Sequence, residues 1–325
     1  MHNTSDNDAL RSHAQQVLIN IAILCLLAAA SYFLLYGGPD RYAARSVKEL
    51  WNIGHVAYFA LITLLLARIR AIASLPANYQ WSGILALTLI LGIIIETMQH
   101  GTGRTPDIAD ILRNFVGCLT ALTFTPAFTR SLNLPGRTIL RVTSGIILGM
   151  SLLPLLIAVT DEQIARSQFP VLSDFSTPFE SGRWHGNAHA TIVNTVPGTS
   201  SQQMKVIFEP GLRTGIHLTR IIPDWYGYSS VNLKLYSPHD APQPVTIRIH
   251  DLEHAVGTHQ FMNDDRFQKR FRLEPGWNLV SISLADIIDA VTTRKVKLSD
   301  MQQIGLFTRP EDESRTVYID AVYLQ

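Results

Sequence analysis

VTSGIILGMSLLPLLIAVT, residues 142–160, runs without a charged side chain, and the chain changes character where this stretch ends. An apolar run of that length is enough to cross about 30 Å of hydrocarbon as a helix. Ahead of its end, residues 1–160 hold 11 Lys/Arg and 7 Asp/Glu, a net of +4. Behind it, residues 161–325 hold 16 and 19, a net of −3, with seven of the eleven histidines. A charge-poor membrane part therefore precedes a part with the composition of a soluble domain. Neither is basic enough to make nucleic acid the main partner.

Working back from that stretch, four more apolar spans come into view. The set is Val17–Tyr36, Trp51–Ala67, Trp81–Met98, Ile108–Phe128 and Val142–Val159. The expected architecture is an α-helical transmembrane bundle of about five spans followed by an all-β sandwich of the jelly-roll type. Its divisions are a tail at 1–16, the bundle at 17–160, a linker at 161–167 and the sandwich at 168–325. The first span competes with a cleaved signal peptide, for which Ala28-Ala29-Ala30 offers a small-residue site. Its length, and Arg11 as the only preceding basic residue, favour a retained helix. Pro126 and Pro154 fall where a membrane helix tolerates a break.

Loop charges orient the bundle. Arg11, Arg68, Arg70, Arg130, Arg137 and Arg141 collect on one side; Arg41, Arg45, Lys48 and Arg104 collect on the other, with Arg113 and Arg166 at its edge. The excess of six over four places the N-terminus in the cytoplasm and the second part outside it. The two cysteines, Cys25 and Cys118, lie in spans, so the second part has no disulfide framework or thiolate metal cluster.

Polar residues inside the spans crowd at one end of the bundle. Lys48, Asn52 and His55 step by four and three residues along one helical face, with Tyr58 next. Glu96, Gln99 and His100 end the third span. Arg104 leads into a stripe of Asp107, Asp110, Asn114 and Gly117. Buried charge near hydrocarbon is costly and marks a site more often than it serves packing. Interhelical hydrogen bonding is the plainer account of any single member. An Arg104 fork beside two carboxylates suits a phosphate or carboxylate head group, and His55 can move a proton near neutral pH.

Glu96-Thr-Met-Gln99, Gly103-Arg104-Thr-Pro-Asp107-Ile-Ala-Asp110 and Asn114-Phe-Val-Gly117, preceded by His55 and Tyr58, resemble a VanZ-like membrane domain over about residues 20–160. That resemblance implies a multi-pass protein of the bacterial inner membrane with a cell-envelope role. It supplies a site without a reaction.

Beyond Thr160 the period becomes two. Val245, Ile247 and Ile249 alternate with Thr246, Arg248 and His250; Phe267, Phe271 and Leu273 alternate with Gln268, Arg270 and Arg272. Turn signals at Ser237-Pro-His-Asp240 and Glu274-Pro-Gly276 separate the strands. The strand order, with Trp184, Tyr228–Leu235, Trp277–Ile287, Gln303–Phe307 and Val317–Asp320, resembles a carbohydrate-binding-module jelly roll of the galactose-binding-like type over about 168–325. Glycan-binding candidates are Trp225, Tyr226 and Tyr228 for ring stacking, with Arg248, His250, Asp251, Asn263 and Arg270 for hydroxyls. Trp184 and Trp277 read as core. No metal site is assigned: His185, His189, His250 and His254 lack ligand spacing, His250/His254 with Asp251 is a weak zinc arrangement, and Asp320 alone is a weak calcium ligand.

The leading expectation is a non-enzymatic envelope protein, its bundle holding a lipid or glycolipid head group and its sandwich an envelope glycan. An intramembrane enzyme using His55, Glu96 and Asp110, with Glu96 or Asp110 as base or metal ligand, is the alternative. A scaffold that docks another envelope protein is the third.

Overall fold

A computed structural model describes residues 3–40, 42–100, 107–199, 201–211, 213–257, 262, 264–308 and 313–325. Contacts divide the chain into Met1–Ala158 and Val159–Gln325. The first unit is helical: α1 (Asn3–Tyr36), α2 (Arg45–Leu66), the single turn α3 (Arg70–Ala73), α4 (Ala77–His100), α5 (Ile108–Phe124) and the part up to Ala158 of α6 (Leu134–Gln168), whose remainder opens the second unit.

Each expected span lies on a helix, but three helices are long and apolar enough to cross a membrane: Arg45–Leu66, Ala77–Gln99 and Leu134–Gln168. The expected five is therefore not the count among the described residues. At 17 residues α5 measures about 25 Å, short of the about 30 Å of a hydrocarbon core. Pro126 explains the shortfall: it opens a 3₁₀ turn, Pro126–Phe128, at which the α-helical hydrogen bonding stops. Pro154, by contrast, sits inside an unbroken α6. Residues 161–167, expected as a linker, are the last two turns of that helix.

Within the helical unit α2 and α5 pack backbone to backbone. A side-chain carbon at Gly117 would overlap the Val56 carbonyl oxygen and lie 2.8 Å from its carbon, so only glycine permits the approach. Asp107 starts α5 as its N-cap, its carboxylate accepting from the Ala109 amide at 2.8 Å. Ile84, Cys118, Leu122 and Phe128 form an apolar cluster behind the crossing.

The second unit is a sandwich of two antiparallel sheets. One contains β3 (His189–Val193), β4 (Gln203–Phe208), β11 (Arg315–Leu324), β6 (Ser230–Ser237) and β9 (Gly276–Ser283) in that order, with β1 (Val171–Ser173) also pairing β11. The other runs β2 (Trp184–Gly186), β5 (Gly215–Leu218), β10 (Met301–Phe307), β7 (Gln243–Asp251) and β8 (Phe267–Leu273). Short helices α7 (Leu252–Val256) and α8 (Leu284–Asp289) cap strand ends.

Alternation decides the faces. Val245, Ile247 and Ile249 turn inward with Ile216, Leu218, Ile304 and Leu306, against Val206, Leu233, Leu235 and Ile319 of the facing sheet. Each such buried aliphatic side chain contributes roughly 1.5–3 kcal/mol. The Glu274-Pro-Gly276 turn forms as expected, with Gly276 at φ +87°, a conformation costly for any residue with a Cβ.

Candidate functional site

Two groupings of polar side chains stand out, one in each unit. In the helical unit α2 supplies His55, α4 supplies Glu96, and α5 supplies Asp107, Asp110 and Asn114. His55 is 1 % exposed, Glu96 6 % and Asn114 0 %. The His55 Nδ1 lies 3.1 Å from the Asn114 Oδ1, and its Nε2 lies 3.5 Å from the Asp110 Oδ2. The Glu96 Oε2 accepts from the Asp107 amide at 2.9 Å. Donor atoms of His55, Glu96 and Asp110 all fall within 4.8 Å of one another, so these three could hold a metal ion.

Other expected members serve elsewhere. Gln99 donates to the Leu34 carbonyl at 2.6 Å, and the Tyr58 hydroxyl meets the Ser31 hydroxyl at 2.6 Å; both bonds tie α1 to its neighbours. Asn52 donates to Glu49 at 3.2 Å on its own helix, and Lys48 is half-buried one turn before it. Arg104 lies outside the described residues. The guanidinium that meets the carboxylates is that of Arg113, paired with Asp110 and 3.6 Å from Asp107. In the sequence Arg113 stands only as a charge at the edge of one side of the bundle. Its i,i+3 spacing from Asp110 was the available signal.

In the sandwich the outer face of the five-stranded sheet collects polar groups in register. His185 on β2 opposes His217 on β5, which opposes Gly305 on β10, which opposes Arg248 on β7, which opposes Gln268 on β8. Phe307 lies over this row. A Cβ at Gly305 would come within 2.6 Å of its ring, and one at Gly215 would overlap it, so the two glycines make its bed. The Arg248 guanidinium sits 4.4 Å from the ring centroid and donates through Nε to Gln268 at 2.6 Å. Its two NH₂ groups have no protein partner among the described residues. Gln303 donates to the His217 Nδ1 at 2.5 Å, which leaves the His217 Nε2–H as a donor. No outward position of these five strands carries an acid: the face shows His185, His217, Gln303, Arg248, His250, Gln268, Arg270 and Arg272.

Three of the expected glycan candidates, Arg248, His250 and Arg270, lie on this face. Trp225 does not: it is 0 % exposed, with its Nε1 donating to the Ile222 carbonyl, because the loop folds it into the core. Asp251 is likewise fully buried and bound by Arg294, so it is a structural anion and no sugar ligand. Tyr226 is exposed in the β5–β6 loop, and Tyr228 packs edge-on against Phe169, both off the row. Asn263 lies outside the described residues. Trp184 is core, as expected, but Trp277 is half-buried on the outer face of the other sheet. There it meets Tyr236 at 5.3 Å and carries the Lys234 ammonium 4.7 Å above its ring. Lys234 also pairs with Asp320 at 2.9 Å, so an ammonium balances the charge offered to calcium. The signal for the row was present in Gln303-Ile-Gly305-Leu-Phe307, where glycine alternates with the outward residues of a strand.

Burial pushes the His250 imidazole down to about 4, with His254 and Arg266 acting in the same direction. Burial and the neighbouring His185 lower His217 as well. Both rings are therefore held neutral in the folded state. A folded pKa below the unfolded 6.5 gives stability that is complete above pH 6.5 and is lost as pH falls towards 4. His250 should account for about 3 kcal/mol of that loss. Urea unfolding of the chain at pH 7, 5.5 and 4.5 should follow this slope, and His250→Gln should flatten it; an unchanged slope in the variant would contradict the assignment.

No family model matches the chain, and no curated protein matches it. A family 11 carbohydrate-binding module from Clostridium thermocellum, solved in complex with a β-1,3-1,4-mixed-linked tetrasaccharide, is similar at 14 % identity and a TM-score of 0.37, over 47 % of this chain and 93 % of that one. An exo-β-agarase is similar at 18 % identity and a TM-score of 0.38, over 48 % of this chain and 24 % of that one. A family 30 carbohydrate-binding module of a Clostridium thermocellum cellulosomal cellulase is similar at 11 % identity and a TM-score of 0.34, over 44 % and 91 %. Likeness at this level assigns no ligand. The class that the chain's own features define is a membrane-associated helical unit joined to a two-sheet β-sandwich.

Proposed function

We propose that this chain is a membrane-anchored glycan-binding protein whose sandwich takes a sugar chain across the outer face of the five-stranded sheet. The observation that carries this is the row of histidine and arginine side chains on that face, with no acid at an outward position of its strands. Arg248 lies over the Phe307 ring, its NH₂ groups without a protein partner among the described residues, beside His217, Gln303 and the exposed Arg270. The competing aromatic face has its charges satisfied by one another, Lys234 by Asp320. Without an acid on the strands and with three arginines, the row favours chains bearing uronates over neutral ones.

The helical unit is read as a VanZ-like envelope domain of the bacterial inner membrane, with the N-terminus cytoplasmic and the sandwich extracytoplasmic. That reading includes contact with a lipid or glycolipid head group. Labelled polygalacturonate tests site and sidedness together, since the polymer cannot cross a membrane. It should bind intact spheroplasts carrying the chain, and Arg248→Ala should weaken binding about ten- to hundredfold, the loss of a charge-assisted hydrogen bond. Binding only after lysis would reverse the orientation. Equal binding by the variant would remove the row as the site.

A further inference from the structure

We propose that His55, Glu96 and Asp110 form a zinc site at the junction of α2, α4 and α5. This is independent of the glycan reading, because it lies in the other unit and uses none of its residues. The donor set is one imidazole and two carboxylates, which suits zinc and related divalent transition metals. Tetrahedral zinc with bonds of about 2.0–2.1 Å sets its ligand atoms about 3.3 Å apart. His55 Nε2 and Asp110 Oδ2 are already 3.5 Å apart, and the Glu96 carboxylate completes a triangle no wider than 4.8 Å.

The surroundings match what a metal-bound imidazole needs. His55 donates from Nδ1 to Asn114 Oδ1 at 3.1 Å, which fixes the ring and leaves the Nε2 lone pair facing the carboxylates. Arg113 holds the other oxygen of Asp110, and the Asp107 amide holds one oxygen of Glu96. The second oxygen of Glu96 is the independent sign. Glu96 is 94 % buried by its 6 % exposure, yet its Oε1 has no hydrogen-bond partner among the described residues. A buried carboxylate oxygen without a partner is expensive, and a bound cation would satisfy it. Asp110 retains 16 % and Asp107 56 % side-chain exposure, which leaves a route in for the ion.

The opposing arrangement is a proton-shared cluster, with protonated His55 between the two carboxylates and no metal. Full-length chain in detergent, stripped with chelator, separates the two by titration with Zn²⁺ and with Co²⁺. One equivalent of Co²⁺ should bind with a visible d–d spectrum of nitrogen/oxygen coordination, and one equivalent of zinc should displace it and bleach that spectrum. Glu96→Gln and Asp110→Asn should each weaken affinity at least tenfold at unchanged helical circular dichroism. Asn114→Ala should weaken it about ten- to hundredfold through the lost support of the imidazole. Unchanged zinc affinity in both Glu96→Gln and Asp110→Asn, or no stoichiometric uptake by the unsubstituted chain, would overturn the site. Both substitutions nearly conserve shape, and the partly exposed Asp110 keeps the comparison valid if Glu96→Gln is poorly folded.

Discussion

Arg294→Ala should destabilise the sandwich by about 3–5 kcal/mol, a large fraction of the stability of an ordinary domain. Arg294 is the guanidinium that bridges two buried carboxylates, Asp251 and Asp265. It donates to Asp251 through Nη1 at 2.6 Å and Nη2 at 2.7 Å, and to Asp265 through Nε at 2.7 Å. Burial pushes the Asp251 carboxyl up; the bonds from Arg294 and from the Lys297 and His254 amides outweigh it and hold the group below its usual range. Asp265 behaves in the same way, with Arg294, His254 and Thr293 as its donors. Without the guanidinium both carboxylates remain out of water with their charge uncompensated. They would then bind protons more readily than in the unfolded chain, so the variant should gain stability as pH falls from 7 to 5, opposite to the trend expected of the unsubstituted chain. Arg294→Lys keeps the charge but loses the fork, and should fall between the two. Urea titrations followed by tryptophan fluorescence measure all three. A loss below 1 kcal/mol in Arg294→Ala would mean that water or a neighbouring cation replaces the arginine.

Gly117→Val should be the most damaging single change in the helical unit. The first added carbon overlaps the Val56 carbonyl, so α5 must retreat from α2 by about an ångström or the helices must separate; overpacking of this kind costs about 1–3 kcal/mol and sometimes more. His55 precedes Val56, and Asn114 lies one turn before Gly117, so the same displacement pulls apart the His55–Asn114 bond. Detergent-solubilised variant should aggregate at a lower temperature and lose the zinc affinity of the cluster together. Gly145→Ala is the control, since nothing lies within 4 Å of that position, and it should be neutral or mildly stabilising. Equal thermal aggregation in the two variants would remove the close crossing as the cause.

The helix-to-sheet division, the inward and outward residues of β7 and β8, and the presence of polar groups on α2, α4 and α5 were legible from the chain. Each is a local periodicity: apolar runs of helical length, alternation of period two, or spacings of three and four that share a helix face. Which polar groups meet was not legible. Glu96 and Asp110 are 14 positions apart and His55 lies 41 before Glu96; only the crossing at Gly117 brings them together, while Gln99, three residues from Glu96, faces α1. Trp225 and Trp277 make the same point in opposite senses. Their local sequences suggested an exposed loop aromatic and a core tryptophan, and packing exchanged those roles, because burial depends on what the opposite sheet and the loop ends place above a side chain. The sequence alone determined that this protein has an apolar helical part and a β-sandwich. Tertiary structure decided which charges are spent on one another, as at Arg294, and which donors have no protein partner among the described residues, as at Arg248, because satisfaction of a polar group is a property of its neighbours in space.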